Sequence, residues 1–197
     1  MTAGPVTLER LTGEQTRARA AELMEIYGAA FSEPPWNEDG SGVADFARRL
    51  ATDTGRPGFV AVLAEQDGRP MGFGTAWPTR SPFPTGRAYD RVRAELGDQA
   101  ERRLVGALEV DELAVGPHAR GRGLAGRILD LLCEGAERCW LLTSPQAFAA
   151  IGVYERLGWE RLTGPEAKVT VFTRERRPEA LGDRYNPARR PTRRTGS

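Results

Sequence analysis

The stretch Val110-Asp111-Glu112-Leu113-Ala114-Val115-Gly116-Pro117-His118-Ala119-Arg120-Gly121-Arg122-Gly123-Leu124-Ala125-Gly126 decides how this chain is read. Its first third has the composition of a strand, its middle is a glycine-rich turn, and its end opens an amphipathic helix. A strand that runs through such a turn into a helix aims several backbone N–H groups, and the positive end of the helix, at one point. That point is an anion site. Gly121 and Gly123 let a ligand approach the backbone closely, and Arg120 and Arg122 add positive charge. Pyrophosphate is the natural guest.

Two other phosphate-binding patterns fail here. Gly121-x-Gly123-x-x-Gly126 has the glycine spacing of a dinucleotide fingerprint, but that fingerprint begins directly after its strand, and here Gly116 to Arg120 intervene. It also wants an acid at the end of the next strand, where this chain has Thr143 and Ser144. A triphosphate loop needs Gly-Lys-Ser/Thr, and the one lysine of the chain is Lys168.

Outward from the turn, the pattern alternates strands with helices. A strand is expected over 6–11, a helix over 14–31 that Pro34 and Pro35 stop, and a second helix from about Gly42. The apolar run 59–64 reads as a strand buried on both faces, and Asp67-Gly68 as a hairpin turn that returns over 69–77. Residues 79–106 break this rhythm. They read as a helix-bearing insertion with Tyr89, Val92, Leu96 and Leu104 on one weakly apolar face, either a solvated helix or a lid over a substrate. A strand over 107–115, a helix over 121–137, a strand over 139–143, a helix over 146–157 and short strands over 159–162 and 169–173 complete one domain, 1–176. The stretch 177–197, with Pro178, Pro187, Pro191 and scattered arginine, reads as a disordered basic tail.

The elements match a family pattern as well as an order. Arg120-Gly121-Arg122-Gly123-Leu124-Ala125, with Leu113-Ala114-Val115 before it, resembles the acetyl-CoA site of the GNAT N-acetyltransferase superfamily. Ala150-Ile151-Gly152-Val153-Tyr154-Glu155-Arg156-Leu157-Gly158-Trp159 is similar to the family's second motif, with Trp in place of Phe. The resemblance spans about 6–173. It implies an α/β fold with a mixed, splayed sheet of about seven strands flanked by helices, interrupted here by the insertion before the central strand.

It also implies roles. The Leu113 N–H is expected to polarise the thioester carbonyl, Val115 to bond the pantetheine amides next to Ala114, and the amides from Arg122 through Gly123, Leu124 and Ala125 to Gly126 to hold the pyrophosphate, with Arg120 and Gly121 beside them. Tyr154 is expected near the sulfur, as the acid for the leaving thiolate. Ala147 stands where the family often has an asparagine, so one usual coenzyme contact is missing.

An alkylamine has a pKa near ~10, so the acceptor arrives as ammonium and must lose a proton. Two residues per pleat place Glu109, Asp111, Leu113 and Val115 on one side of the strand, and Val110 and Glu112 on the other. Glu109 falls where histone-type members keep a glutamate base, and Asp111 where aminoglycoside-type members keep an aspartate. Either serves as base, as an attractor for a cationic substrate, or as a salt-bridged surface carboxylate; Glu112 is read as the last of these. In the link Phe31-Ser32-Glu33-Pro34-Pro35-Trp36-Asn37-Glu38, Trp36 could stack on an acceptor and Glu33 or Glu38 bind its amine, or Trp36 could simply pack on the core.

Composition narrows the alternatives. With His118 as the only histidine and Cys133 and Cys139 the only cysteines, no zinc site, disulfide framework or histidine-rich catalytic centre can be assembled, and no metal is expected. Net charge is +1, but the last 24 residues carry +5 and the rest −4. The mildly acidic domain favours a small-molecule amine acceptor such as a polyamine or an aminoglycoside-like compound. A peptide or protein amine, and an acyl-CoA-binding module without turnover, are the rival readings. The tail has too little charge density and only Tyr185 for stacking, which speaks against nucleic acid. No run of ~18 apolar residues and no signal layout at the start suggest a cytoplasmic, membrane-free protein. Oligomeric state stays open, a homodimer included.

Overall fold

The computed structural model describes residues 4–86 and 88–176. One seven-stranded sheet runs through them in the order β1-β2-β3-β4-β5-β7-β6. Its strands are β1 (Thr7–Leu11), β2 (Val60–Gln66), β3 (Arg69–Pro78), β4 (Leu108–Val115), β5 (Arg138–Thr143), β6 (Glu160–Arg161) and β7 (Thr170–Glu175). Every pairing is antiparallel except β4 with β5. The hairpin between β2 and β3 turns at Asp67 (φ 52°) and Gly68 (φ 74°), the left-handed pair that a two-residue turn requires.

Helices α1 (Gly13–Ala18), α2 (Ala20–Phe31) and α3 (Gly40–Asp53) cover one face. The expected single helix over 14–31 is broken at Arg19. Thr12 and Gln15 form a reciprocal capping box that starts α1, while the Arg19 guanidinium is drawn to Glu9, Glu22 and Glu65. That charge cluster rests on strand residues distant in sequence, so helical periodicity does not record the break. Leu23, Ile26, Phe46 and Leu50 pack there on Leu11, Leu63, Phe73 and Ala114.

The opposite face carries α6 (Leu124–Leu132) and α7 (Phe148–Arg156). Glycine lets α6 approach closely: a Cβ on Gly74 would lie 2.6 Å from a Leu132 methyl and 3.0 Å from one of Ile128. Ile128, Leu129 and Leu132 are fully enclosed, each side chain contributing about 1.5–3 kcal/mol by burial. The two buried thiols, Cys133 and Cys139, belong to this core.

The insertion folds as α4 (Tyr89–Leu96) and α5 (Gln99–Leu104). The solvated reading is corrected: Phe83, Tyr89, Val92, Leu96, Ala100 and Leu104 form a third cluster with Trp140 of β5 and Val171 of β7. The indole N–H of Trp140 donates to the Thr79 hydroxyl at 2.7 Å, and Glu101 accepts from the Phe83 N–H at 2.8 Å. The expectation for 177–197 lies outside the described residues.

Candidate functional site

β4 has two unlike halves. Leu108, Glu109 and Val110 pair with β3 on one side and with Cys139, Trp140 and Leu141 of β5 on the other. Beyond Val110 only β3 remains paired, with Glu112 opposite Thr75 and Val115 opposite Gly72. The register slips between Thr75 and Ala76, which makes Asp111 the extra residue of a bulge. Such a bulge increases local twist and bends its strand, and β4 parts from β5 at this point.

The free edge has a definite chemistry. The Gly116 N–H donates to the Met71 carbonyl at 2.9 Å, and an antiparallel ladder alternates its bonded residues. The carbonyls of Ala114 and Glu112 accordingly lie against Gly72 and Gly74 of β3. Leu113 and Val115 therefore turn their N–H and C=O groups away from β3, into the gap.

A cleft of about 740 Å³ occupies that gap, within the ~300–1,000 Å³ usual for small-molecule sites. One wall is Leu113, Ala114 and Val115; the other is α7, from Ala147 to Leu157. A 3-10 turn (Pro117–Ala119) leads into the glycine loop, where Gly121 (φ 75°) and Gly123 (φ 69°) adopt left-handed backbone. Gly121, Gly123, Leu124, Ala125 and Gly126 line the cleft floor, with the amides of the first turn of α6 lacking helical partners. Gly126 has a packing duty as well, since a Cβ there would meet Leu157 at 3.1 Å.

The two arginines part company. Arg120 lines the cleft, paired with Glu33 and donating to the Ala30 carbonyl at 3.2 Å. Arg122 turns its guanidinium to Gln66 Oε1 at 2.9 Å, so what it offers the loop is its backbone. Pro34, Pro35, Trp36 and Phe31 close the cleft near α2, with Trp36 edge-on to Phe31 at 5.5 Å and 37% exposed. Phe148, 78% exposed at the start of α7, stands at the same cleft and was not singled out from the sequence.

The bulge overturns the expected alternation of β4. Val110 packs in the core under α6 and α7, as do Leu113 and Val115, whereas Glu109, Glu112 and Ala114 face α2, α3 and the insertion. Strict alternation has Glu109 and Leu113 on one side; the extra residue separates them. Glu109 is 4% exposed and accepts the Tyr89 hydroxyl at 2.8 Å. Asp111 and Glu112 both line a narrow crevice beneath α3, with Arg49, Asp53, Thr75 and Trp77.

Glu112 is thus no surface carboxylate. Its side chain is 16% exposed and its Oε1 accepts from Arg49 at 2.9 Å. Burial and the neighbouring charge of Asp111 push its carboxyl up to about 8, against the pull of Arg49. Glu38 is close by but engaged, its carboxylate accepting the Tyr27 hydroxyl at 2.7 Å. Asp111 and Glu112 are consecutive in the sequence, but no local pattern there marks a bulge.

Tyr154 reaches the cleft from α7, packed between Trp159 and Phe172. Burial, and after it the charge of Glu112, hold its hydroxyl well above the ordinary phenol value. His118 is exposed with Nε2 3.3 Å from the Met71 sulfur. Among the described residues no three His, Cys, Asp or Glu side chains converge as metal ligands, and no helix is long and apolar enough to cross a membrane.

Comparison with known proteins points one way. The model of the GNAT acetyltransferase family matches residues 20–159. No curated protein sequence matches the chain. Among solved structures, an acetyltransferase from Thermus thermophilus is similar over 89% of this chain and 99% of its own, with 18% identity and a TM-score of 0.56. The PaiA N-acetyltransferase of Thermoplasma acidophilum in complex with coenzyme A aligns over 88% of this chain and 100% of its own (11% identity, TM-score 0.57). The ribosomal-protein-alanine N-acetyltransferase of Brucella melitensis aligns over 86% and 99% (19% identity, TM-score 0.55). At these identities the structural likeness concerns the fold.

Proposed function

The chain belongs to the GNAT acetyltransferase family, and from that premise we propose that it transfers the acetyl group of acetyl-CoA to a primary amine of a small cationic molecule, by direct attack in a ternary complex. The observation that carries this reading is the parting of β4 from β5 after Val110, with the glycine loop and the start of α6 at its end. In this reading the pantetheine arm lies along Leu113–Val115 as a pseudo-strand, bonded by the groups that β5 leaves free. The pyrophosphate rests on the amides from Arg122 to Gly126, with Arg120 beside it. The Leu113 N–H stabilises the oxygen of the tetrahedral adduct, an interaction worth ~3 kcal/mol for one aimed donor. Tyr154 protonates the departing sulfur.

The acceptor approaches from the α3 face. Among the described residues, Asp111 and Glu112 stand side by side on the α3 side of β4, and that pair of carboxylates supports a cationic acceptor. Asp111 draws the ammonium, and Trp36, Glu33 and Glu38 border its path. To Glu109, buried under the insertion and bonded by Tyr89, we assign a structural duty. The activity is read by thiol release from acetyl-CoA with spermidine, kanamycin, tyramine and an alanine-terminated peptide as acceptors. The reading expects turnover on the small cationic amines and little on the peptide. Faster turnover on the peptide would move the acceptor to protein amines, and binding of acetyl-CoA with no turnover on any amine would leave a sensor.

A further inference from the structure

We propose that Cys133 and Cys139 form a peroxide-oxidisable dithiol: hydrogen peroxide oxidises Cys133, and Cys139 closes the product to a reversible disulfide. The site lies at the end of α6 remote from the glycine loop, and it stands apart from the acyl-transfer reading. Cys133 caps α6, and the Ala136 N–H donates back to its carbonyl at 3.1 Å, with Gly135 left-handed at φ 82°. This tight turn folds residues 134–138 back into β5, where Cys139 follows Arg138. Cys139 lies opposite Arg174 in the β5–β7 ladder, and directly opposed residues project from the same face. Arg174 reaches Asp130 of α6 at 2.9 Å, so that face is the one α6 covers. Asp130 and Cys133, three residues apart, share one side of the helix. Turn, ladder and ion pair together set the two thiols side by side in the core, with the Arg174 guanidinium against Cys133.

The pair is unequal. Cys133 is 9% exposed and Cys139 2%, so a water-sized oxidant meets Cys133 first. Contact with the Cys139 thiol, and with it the charge of Arg174, holds the Cys133 thiol below its ordinary value against burial. The same contact, together with burial, pushes Cys139 up. Arg174 is fixed in turn by Asp130 and by the Trp159 ring, whose centroid lies 5.0 Å from the guanidinium carbon. The Cys133 thiolate attacks one peroxide oxygen; an S–O bond forms, the O–O bond breaks, and the departing hydroxide leaves as water with the thiol proton. The Cys139 sulfur then attacks the Cys133 sulfur. An S–S bond forms, the S–O bond breaks, and the second hydroxide leaves as water with the Cys139 proton. Two thiols give two electrons to one peroxide, and a reducing dithiol restores them.

The test uses the full, reduced chain, hydrogen peroxide in slight excess, and mass spectrometry under non-reducing conditions. The expected result is the loss of two hydrogens per chain, a linked peptide pair joining Cys133 to Cys139, and return of both thiols with dithiothreitol. Cys139→Ser should stop at a Cys133 sulfenic acid, one oxygen heavier and trapped by dimedone. Cys133→Ser should lose the reaction, since the thiol that remains is the more buried one and is held protonated. Arg174→Gln should slow the wild-type reaction severalfold. The wild-type measurement needs no substitution, so it decides the proposal even where a variant fails to fold. Both thiols left free, a bridge between two chains rather than within one, or oxygen added at Cys133 with no bridge would overturn it. So would dimedone labelling of Cys139 in Cys133→Ser, which would make Cys139 the attacked thiol.

Discussion

The two halves of β4 share a backbone and a neighbour in β3, yet they do different work. Leu108–Val110 is bonded on both edges and carries Glu109, a carboxylate buried and bonded by Tyr89. Glu112–Val115 is bonded on one edge, and its other edge opens onto a 740 Å³ cleft. A single bulged residue, Asp111, separates them. Strand pairing supplies rigidity in the first half, and its interruption supplies donors in the second.

The comparison is broken most sharply by proline. Val110→Pro removes an N–H from the doubly bonded half and should abolish cooperative unfolding, followed by circular dichroism. Leu113→Pro removes one that β3 does not use. It should keep the fold and lose roughly 10²–10³ in kcat, the cost of one oxyanion donor. Equal damage from both would erase the distinction.

Each half also has its own tyrosine. Tyr154→Phe should cut turnover about tenfold to a hundredfold with acetyl-CoA affinity retained, as expected for loss of an acid. Tyr89→Phe should leave turnover near wild type and lower stability by about 1–3 kcal/mol in urea titration, since the Glu109 carboxylate loses a buried donor. A crossed result, with Tyr89 governing turnover, would return the chemistry to the closed half.

A smaller effect is expected at the cleft floor. Gly123 sits at φ 69°, and a Cβ added there would meet nothing within 4 Å. Gly123→Ala should therefore cost about 1–2 kcal/mol of backbone strain without a clash, and weaken acetyl-CoA binding in calorimetry. Glu112 adds a pH signature. Folded Glu112 holds its proton to about 8 and an unfolded glutamate to 4.5, so between those values the folded state binds more protons. Wild-type stability on this account falls as pH rises through that window and levels off above it. Glutamine has no such proton, so Tm of Glu112→Gln minus Tm of wild type should become more positive from pH 5 to 8.5.

What the sequence made legible follows the range of the interactions involved. The glycine loop, the Asp67-Gly68 hairpin and the succession of seven strands along the chain are written in local signals: left-handed glycines, turn pairs, and runs of period two or 3.6. The carboxylates of β4 were misplaced because a bulge is a property of two strands, and nothing between Glu109 and Leu113 announces that Thr75 and Ala76 will slip. The insertion showed its apolar face, Tyr89, Val92, Leu96 and Leu104, but not what covers it, because Trp140 and Val171 lie well downstream. Arg19 ended a helix through Glu9 and Glu65, neither of them within its own helical turn. The glycine loop and the strand before it were therefore readable, and the faces taken by the carboxylates were not.

Amide hydrogen exchange at Leu113 and Val115, followed residue by residue with and without saturating acetyl-CoA, tests the open half most directly. The account predicts that both amides slow markedly when the coenzyme binds, while Val110, already bonded within the sheet, barely changes. Binding that leaves Leu113 and Val115 exchanging as fast as before would contradict it, and the gap between β4 and β5 would not be the donor site.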